Sequence, residues 1–158
     1  MVTNSAPNLD GAKLRIAIIA SQFNEIITAR LANGAVSALK KHGVRDENIA
    51  VIWAPGSLEL AQVAKLLANS GNWHGLVALG AVIRGETFHF ELVALESAHS
   101  IEKVAIDENI PITFGVLTTD TLEQALDRAG GKQGNKGEDA AIAVIKLVNL
   151  FHSLKSSA

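Results

Sequence analysis

Short, solidly apolar runs alternate along this chain with longer stretches in which apolar residues recur every three or four positions. Arg15-Ile16-Ala17-Ile18-Ile19-Ala20 is the first run and predicts a strand buried on both faces. Ile26, Ile27, Ala29, Leu31, Gly34, Ala35, Ala38 and Leu39 then keep a helical stripe. It stops at His42-Gly43, since glycine accepts the left-handed turn that closes a helix. Ile49-Ala50-Val51-Ile52-Trp53-Ala54 predicts a second strand, closed by Pro55-Gly56. Gly56 or Ser57 caps a helix through Leu60, Val63, Ala64 and Leu67, and Asn69-Ser70-Gly71-Asn72 predicts a turn. Gly75 to Gly80 reads as a third strand. A long helix follows from about Thr87 to Glu108, with Phe90, Val93, Ala94, Ile101, Val104 and Ala105 on one stripe.

Pro111 opens a fourth strand, Ile112 to Leu117. Thr118-Thr119-Asp120 then caps a helix to about Ala129, and the glycine-rich segment from Gly130 to Gly137 breaks it. The last helix, about Glu138 to Phe151, carries Ala141, Val144, Ile145 and Val148. Four strands read as continuous apolar runs, and helices separate them. That pattern predicts a three-layer α/β/α domain with a four-stranded parallel sheet in a flavodoxin-like arrangement. Residues 14–158 form this single domain. Residues 1–13 are a polar tail, either mobile or exchanged as an edge strand with a neighbouring chain.

Composition narrows the chemistry. The chain has 158 residues, 48% of them hydrophobic, so one domain with a real core is expected. Aromatic residues make up only 4%, with no Tyr, so each aromatic outside a core strand needs a reason. Net charge is -2 with both signs interspersed, which argues against nucleic acid as a partner. No apolar stretch reaches the roughly 18 residues of a membrane span, and no basic segment leads into an apolar run at the start. The expected compartment is the cytoplasm. The absence of Cys and the spacing of the five His leave no metal-ligand pattern.

In open parallel sheets, ligands bind beyond the carboxyl ends of the strands. Three loops collect there: Ser21 to Asn24, Ala54 to Glu59, and Gly80 to His89, with Leu117 and Thr118 nearby. In the third loop, Arg84-Gly85-Glu86-Thr87 precedes a helix whose free N–H groups and dipole favour an anion such as phosphate. His89, in the first turn, either faces that anion or is a surface His. Phe23 stands in a polar loop and is either a stacking platform for a flat heterocycle or a core residue at a strand end. Glu59 either supports its helix start or accepts hydrogen bonds from a polyol. Arg128 reads as a helix-surface cation, and Lys132 and Lys136 lie in the glycine-rich segment. That segment lacks the Gly-Lys-[Ser/Thr] ending of a P-loop. No Gly-x-Ser-x-Gly occurs, so a hydrolase nucleophile elbow is excluded. Ser21-Gln22-Phe23 also lacks the acidic cluster of a receiver domain.

Several stretches together resemble the lumazine synthase family. They are Phe23-Asn24, Pro55-Gly56-Ser57-Leu58-Glu59-Leu60, Gly80 to Phe90 with its Val82-Ile83-Arg84-Gly85-Glu86-Thr87 core, Phe114 to Thr119, Glu123-Gln124-Ala125, Arg128-Ala129-Gly130 and Gly134-Asn135-Lys136-Gly137. The resemblance runs from about Leu14 to the last helix. It implies a riboflavin-pathway transferase that condenses 5-amino-6-ribitylaminouracil with 3,4-dihydroxy-2-butanone 4-phosphate. The product is 6,7-dimethyl-8-ribityllumazine, and no cofactor or metal is needed. The alternative within the same fold is a non-catalytic riboflavin- or lumazine-binding protein.

The resemblance also implies roles. Phe23 stacks on the pyrimidine. Backbone groups of Ala81, Val82 and Ile83 meet the uracil edge. Ser57 and Glu59 hold the ribityl chain. Asn24 and Leu58 belong to the same substrate-binding set. Phe114 and Lys136 close the ring and ribityl side. Arg128, with N–H groups of Glu86 and Thr87, holds the phosphate, and His89 moves protons. Ser57, Leu58 and Ala61 depart from residues common in relatives, which affects the ribityl end. The implied assembly is a pentamer, with a sixty-subunit shell favoured by the segment from Gly130 to Gly137 and riboflavin synthase as a candidate partner. Topology adds one expectation. A helix of about nine residues rises roughly 13 Å, which carries Arg128 away from its own strand ends, so a neighbouring chain should supply it.

Overall fold

The computed structural model describes residues 1–156, so the last two residues of the expected 14–158 domain lie outside the described residues. Four strands form one parallel sheet: β1 (Ile16–Ser21), β2 (Ile49–Ala54), β3 (Gly75–Ile83) and β4 (Ile112–Thr119), in the order β2-β1-β3-β4. Five helices connect and cover them: α1 (Glu25–Lys41), α2 (Leu60–Ser70), α3 (His89–Asp107), α4 (Leu122–Asp127) and α5 (Lys136–Ser156). Helices α1 and α5 pack on one face of the sheet, α2 and α3 on the other.

Strand alternation divides the core in two. Ile16, Ile18, Ala20, Val77 and Leu79 join α1 and α5, while Ala17, Ile19, Leu76 and Ala78 join α2 and α3. Both sides of β1 and β3 are therefore apolar, as their unbroken runs required. This is the expected three-layer α/β/α arrangement.

Boundaries differ where pairing partners decide them. β3 runs on through Ala81, Val82 and Ile83, and β4 through Thr118 and Thr119, since the two strands pair up to Ile83↔Thr119. The pairing of β1 with β3 ends earlier, at Ala20↔Leu79, so β3 overruns β1. The cap of α4 is Thr121, whose side chain accepts from the Gln124 N–H at 3.1 Å, rather than Thr118-Thr119-Asp120. The segment after α4 is a small antiparallel hairpin, β5 (Ala129–Gly131) and β6 (Gly134–Asn135), not an open loop.

Asn135 caps α5. Its Oδ1 accepts from the N–H groups of Gly137 at 2.8 Å and Glu138 at 3.1 Å, and its Nδ2 donates to the Arg30 carbonyl at 3.1 Å. Gly137 lies directly against α1, where a Cβ would overlap the Leu31 carbonyl. Residues 1–10 form no strand within the chain. Asn149 on α5 holds them by donating to Asn8 Oδ1 at 2.8 Å and to the Asp10 carbonyl at 3.0 Å. β2 is an exposed edge with Val51 and Trp53 on its surface. Among the described residues, no helix is long and apolar enough to cross a membrane.

Candidate active site

The strand order places the topological switch between β1 and β3, because β1 is followed by β2 on one side and by β3 on the other. At the carboxyl ends of these three strands lies a cavity of about 450 Å³. Phe23 lines it from the turn after β1, Ser57, Leu58 and Glu59 from the turn after β2, and Ala81, Val82 and Ile83 from β3. Thr87 and His89 line it from the start of α3. Nine of the residues expected at the site are thus brought together.

Phe23 is 71% exposed, so it is no core residue. The turn carrying it is fastened by backbone bonds from Gln22 N–H to the Ala54 carbonyl and from Phe23 N–H to the Pro55 carbonyl. Asn24 does not line the cavity. It adopts the left-handed conformation, φ 61°, and its Nδ2 donates to the Ala81 carbonyl at 2.8 Å.

That bond also fixes how the end of β3 faces. Ala81 turns its carbonyl toward the β1 side, whereas the Arg84 N–H donates to Thr119 of β4 at 2.8 Å. Residues alternate along a strand, so Ala81 and Ile83 present backbone groups to the cavity side, where β1 has ended. Val82 pairs toward β4 with its backbone and lines the cavity with its side chain. Ser57 tucks beneath β3 at Gly80, where a Cβ would come within 2.6 Å of Ser57 Oγ. Gly80 permits that close approach.

His89 is the first residue of α3 and is exposed, and its N–H meets Thr87 Oγ1 at 3.4 Å. Glu86 sits in the same exposed loop. Arg84, four residues past Gly80, fastens that loop. Its Nε donates to Asp120 Oδ1 at 2.8 Å and its Nη1 to Glu91 Oε1 at 2.6 Å. The hydrogen bonds to Asp120 and Glu91 hold the Arg84 pKa above its ordinary value. The same bond from Arg84 holds the Glu91 carboxyl below its ordinary value.

Arg128 and Lys136 lie elsewhere. They line a second hollow of about 320 Å³ with Leu117, Thr118, Thr119 and Asp139 at the end of β4. Arg128 does not follow the expected route. α4 has only six residues, and Arg128 stays beside its own strand end instead of travelling back along the sheet. It is nonetheless apart from the first cavity. Phe114 is exposed midway along β4 and lines neither hollow.

Phe90 and Val93 also line the cavity, although both lie on the apolar stripe of α3 and look like core in the sequence. The fastening role of Arg84 has no sequence signal, because its partner Asp120 is 36 residues away. Among the described residues, no group of three or more His, Cys, Asp or Glu side chains is placed to hold a metal ion.

The fold and cavity define an α/β protein with a ligand site at the switch point of a parallel sheet. The profile of the 6,7-dimethyl-8-ribityllumazine synthase family matches residues 13–152. A protein of Leuconostoc mesenteroides subsp. mesenteroides named 6,7-dimethyl-8-ribityllumazine synthase is 46% identical over 148 residues, covering 94% of this chain and 95% of that one. The chain belongs to the 6,7-dimethyl-8-ribityllumazine synthase family.

Proposed function

We propose that the cavity at the ends of β1, β2 and β3 is where this chain, a transferase of riboflavin biosynthesis by its family, makes 6,7-dimethyl-8-ribityllumazine. Its substrates are 5-amino-6-ribitylaminouracil and 3,4-dihydroxy-2-butanone 4-phosphate. The observation that carries the reading is an exposed Phe23 over a cavity whose other walls supply Glu59, the strand end from Ala81 to Ile83, and His89.

Each wall has a task in this chemistry. Phe23 stacks on the flat pyrimidine, and the backbone of Ala81 and Ile83 meets its uracil edge. Val82 and Leu58 supply apolar walls, while Ser57 and Glu59 take the ribityl hydroxyls. Asn24 acts through Ala81 rather than on the ligand. The amine that attacks the ketone must lose a proton, and the carbinolamine must gain one to release water. An imidazole can perform both tasks, and in this reading His89, which lines the cavity, is the group that does. The departing phosphate needs positive groups on its oxygens. N–H groups of Glu86 and Thr87 serve one side, and Arg128 serves the other. Holding two substrates together accounts for much of the remaining acceleration.

Arg128, Lys136 and Phe114 come from a neighbouring chain in this reading, because one chain keeps them out of the first cavity. Surface apolar residues support self-association. Leu92, Leu95 and Ile106 stand on the face of α3 opposite the buried Ser97, Ile101 and Val104. The assembly proposed is a pentamer, extended to a sixty-subunit shell. Its mass by light scattering tests this.

The test of function is incubation with both substrates while product absorbance and free phosphate are followed. Equal amounts of lumazine and phosphate are expected. Tight binding of riboflavin or lumazine with no product would overturn the reading in favour of a binding protein.

A further inference from the structure

Arg84 does not line the cavity, yet it is tied into the structure at four points around the loop between β3 and α3. Its backbone N–H donates to the Thr119 carbonyl at 2.8 Å. Its Nε donates to Asp120 Oδ1 at 2.8 Å and its Nη1 to Glu91 Oε1 at 2.6 Å. Its guanidinium carbon lies 4.4 Å from the centre of the Phe90 ring, and Phe90 does line the cavity.

The consequence is a clasp. Glu91 is in the first turn of α3 and Arg84 is the first residue after β3, so their ion pair closes residues 85–90 into a loop with joined ends. Asp120 anchors the clasp to the turn before α4. The bonds inside the enclosed segment are local: the Phe88 carbonyl accepts from the Glu91 and Leu92 N–H groups, and the His89 N–H meets Thr87 Oγ1 at 3.4 Å. Residues 85–89 are all exposed, and a Cβ built on Gly85 would meet nothing within 4 Å.

We propose that Arg84 is a positioning residue, which holds the loop from Gly85 to His89 in the shape that receives the phosphate of the sugar substrate. The inference rests on the function proposed above. Exposed ion pairs contribute little to global stability. A loop ordered before binding, however, loses less conformational freedom when the ligand arrives. The guanidinium suits this task because its planar fork meets two carboxylates while its face covers an aromatic ring. A lysine ammonium keeps the charge but has neither the planar fork nor the flat face that covers the ring.

The experiment compares the wild-type protein with Arg84→Gln, Arg84→Lys and the double variant Glu91→Ala/Asp120→Ala. Turnover, inhibition by inorganic phosphate, and amide hydrogen exchange of residues 85–89 are read on each. In Arg84→Gln, the KM for the sugar phosphate and the inhibition constant of phosphate are expected to rise about tenfold, equivalent to about 1.4 kcal/mol. The KM for the pyrimidine and the melting temperature should stay near wild type, and exchange at 85–89 should quicken. Arg84→Lys should recover part of the loss.

The double variant decides the mechanism, because it leaves Arg84 in place and removes what it holds. It is expected to reproduce the Arg84→Gln defect. Wild-type phosphate constants in the double variant, alongside a defect in Arg84→Gln, would mean that Arg84 touches the substrate itself, and the proposal fails. Wild-type behaviour of Arg84→Gln also overturns it. Absence of turnover in the wild-type protein would count against the proposed function instead. Phosphate binding and amide exchange would then still decide whether the clasp orders the loop.

Discussion

Asn24 donates from Nδ2 to the Ala81 carbonyl at 2.8 Å and so joins the turn after β1 to the overrunning end of β3. The bond spans the switch point and fixes Phe23 beside the cavity. Asn also tolerates the left-handed backbone that this position requires, φ 61°. Asn24→Ala loses both advantages, and a destabilisation of about 1–2 kcal/mol is expected. Asn24→Gly loses the bond but suits the backbone, so it should lose less. Urea unfolding of the three proteins measures this. Equal midpoints would show that neither the bond nor the conformation matters.

Phe23→Ala tests the stacking platform. At 71% exposure the ring contributes little to the core, so the variant should fold normally. Its affinity for a pyrimidine or flavin should fall by roughly 1–3 kcal/mol, the range for stacking a base on an aromatic. Fluorescence quenching or calorimetry reads the change. Unaltered affinity with normal folding would remove Phe23 from the site.

His89→Ala should slow condensation by roughly 10²- to 10⁴-fold with little loss of substrate affinity, as expected for a missing proton carrier. Arg128→Ala should also be inactive. Because His89 and Arg128 line separate hollows within one chain, mixing the two inactive proteins under subunit exchange creates some contacts with both residues intact. Activity should reappear in that fraction. With exchange verified by mass, activity that stays at the level of the variants contradicts a shared site.

A pH effect is expected at the opposite end of the sheet. His74 Nδ1 accepts from the Arg15 N–H at 2.9 Å, and its ring meets His152 edge-on at 5.5 Å. Burial first, then the charges of Arg15 and His152, hold the His74 pKa below its ordinary value of 6.5. The folded protein therefore binds this proton less readily than the unfolded chain. The stabilisation is complete above 6.5 and is lost as pH falls through the lowered folded value. Glu91 and Asp107, held below 4.5 and 3.8, respond only at more acid pH. Thermal unfolding compared at about pH 7.5 and about pH 5 should show a drop that His74→Gln reduces. A drop of the same size in His74→Gln would place its origin elsewhere.

β1 and β3 are readable because each is buried on both faces and so appears as an unbroken apolar run; β2 and β4 read as apolar runs too, although Val51, Trp53 and Phe114 are exposed on these edge strands. The strand ends are not readable. Ala81 to Ile83 resemble a loop until β4 is known to continue beside them, and that pairing connects residues 36 positions apart. Phe23, Glu59 and His89, singled out by loop position and chemistry, line one cavity. Arg84 stands within a recognisable motif, but its task depends on Asp120 and Glu91, which sequence does not place next to it. The route of Arg128 failed for a local reason. Thr121 begins α4 later than Thr118 or Thr119 would, and Gly130, with φ 101°, turns the chain back into a hairpin.

The same hairpin changes what Lys136 can be. Glycines on either side of it invite the picture of a cation on a slack tether. Its neighbours instead hold it firmly, since Asn135 grips the Arg30 carbonyl and Gly137 abuts Leu31. The Lys136 backbone is thus immobilised when the chain folds, and only the side-chain torsions retain freedom. Under the function proposed above, an arriving ligand meets an ammonium whose search is confined to the arc of one side chain. On that reading the charge is part of a wall set in place before any substrate has bound.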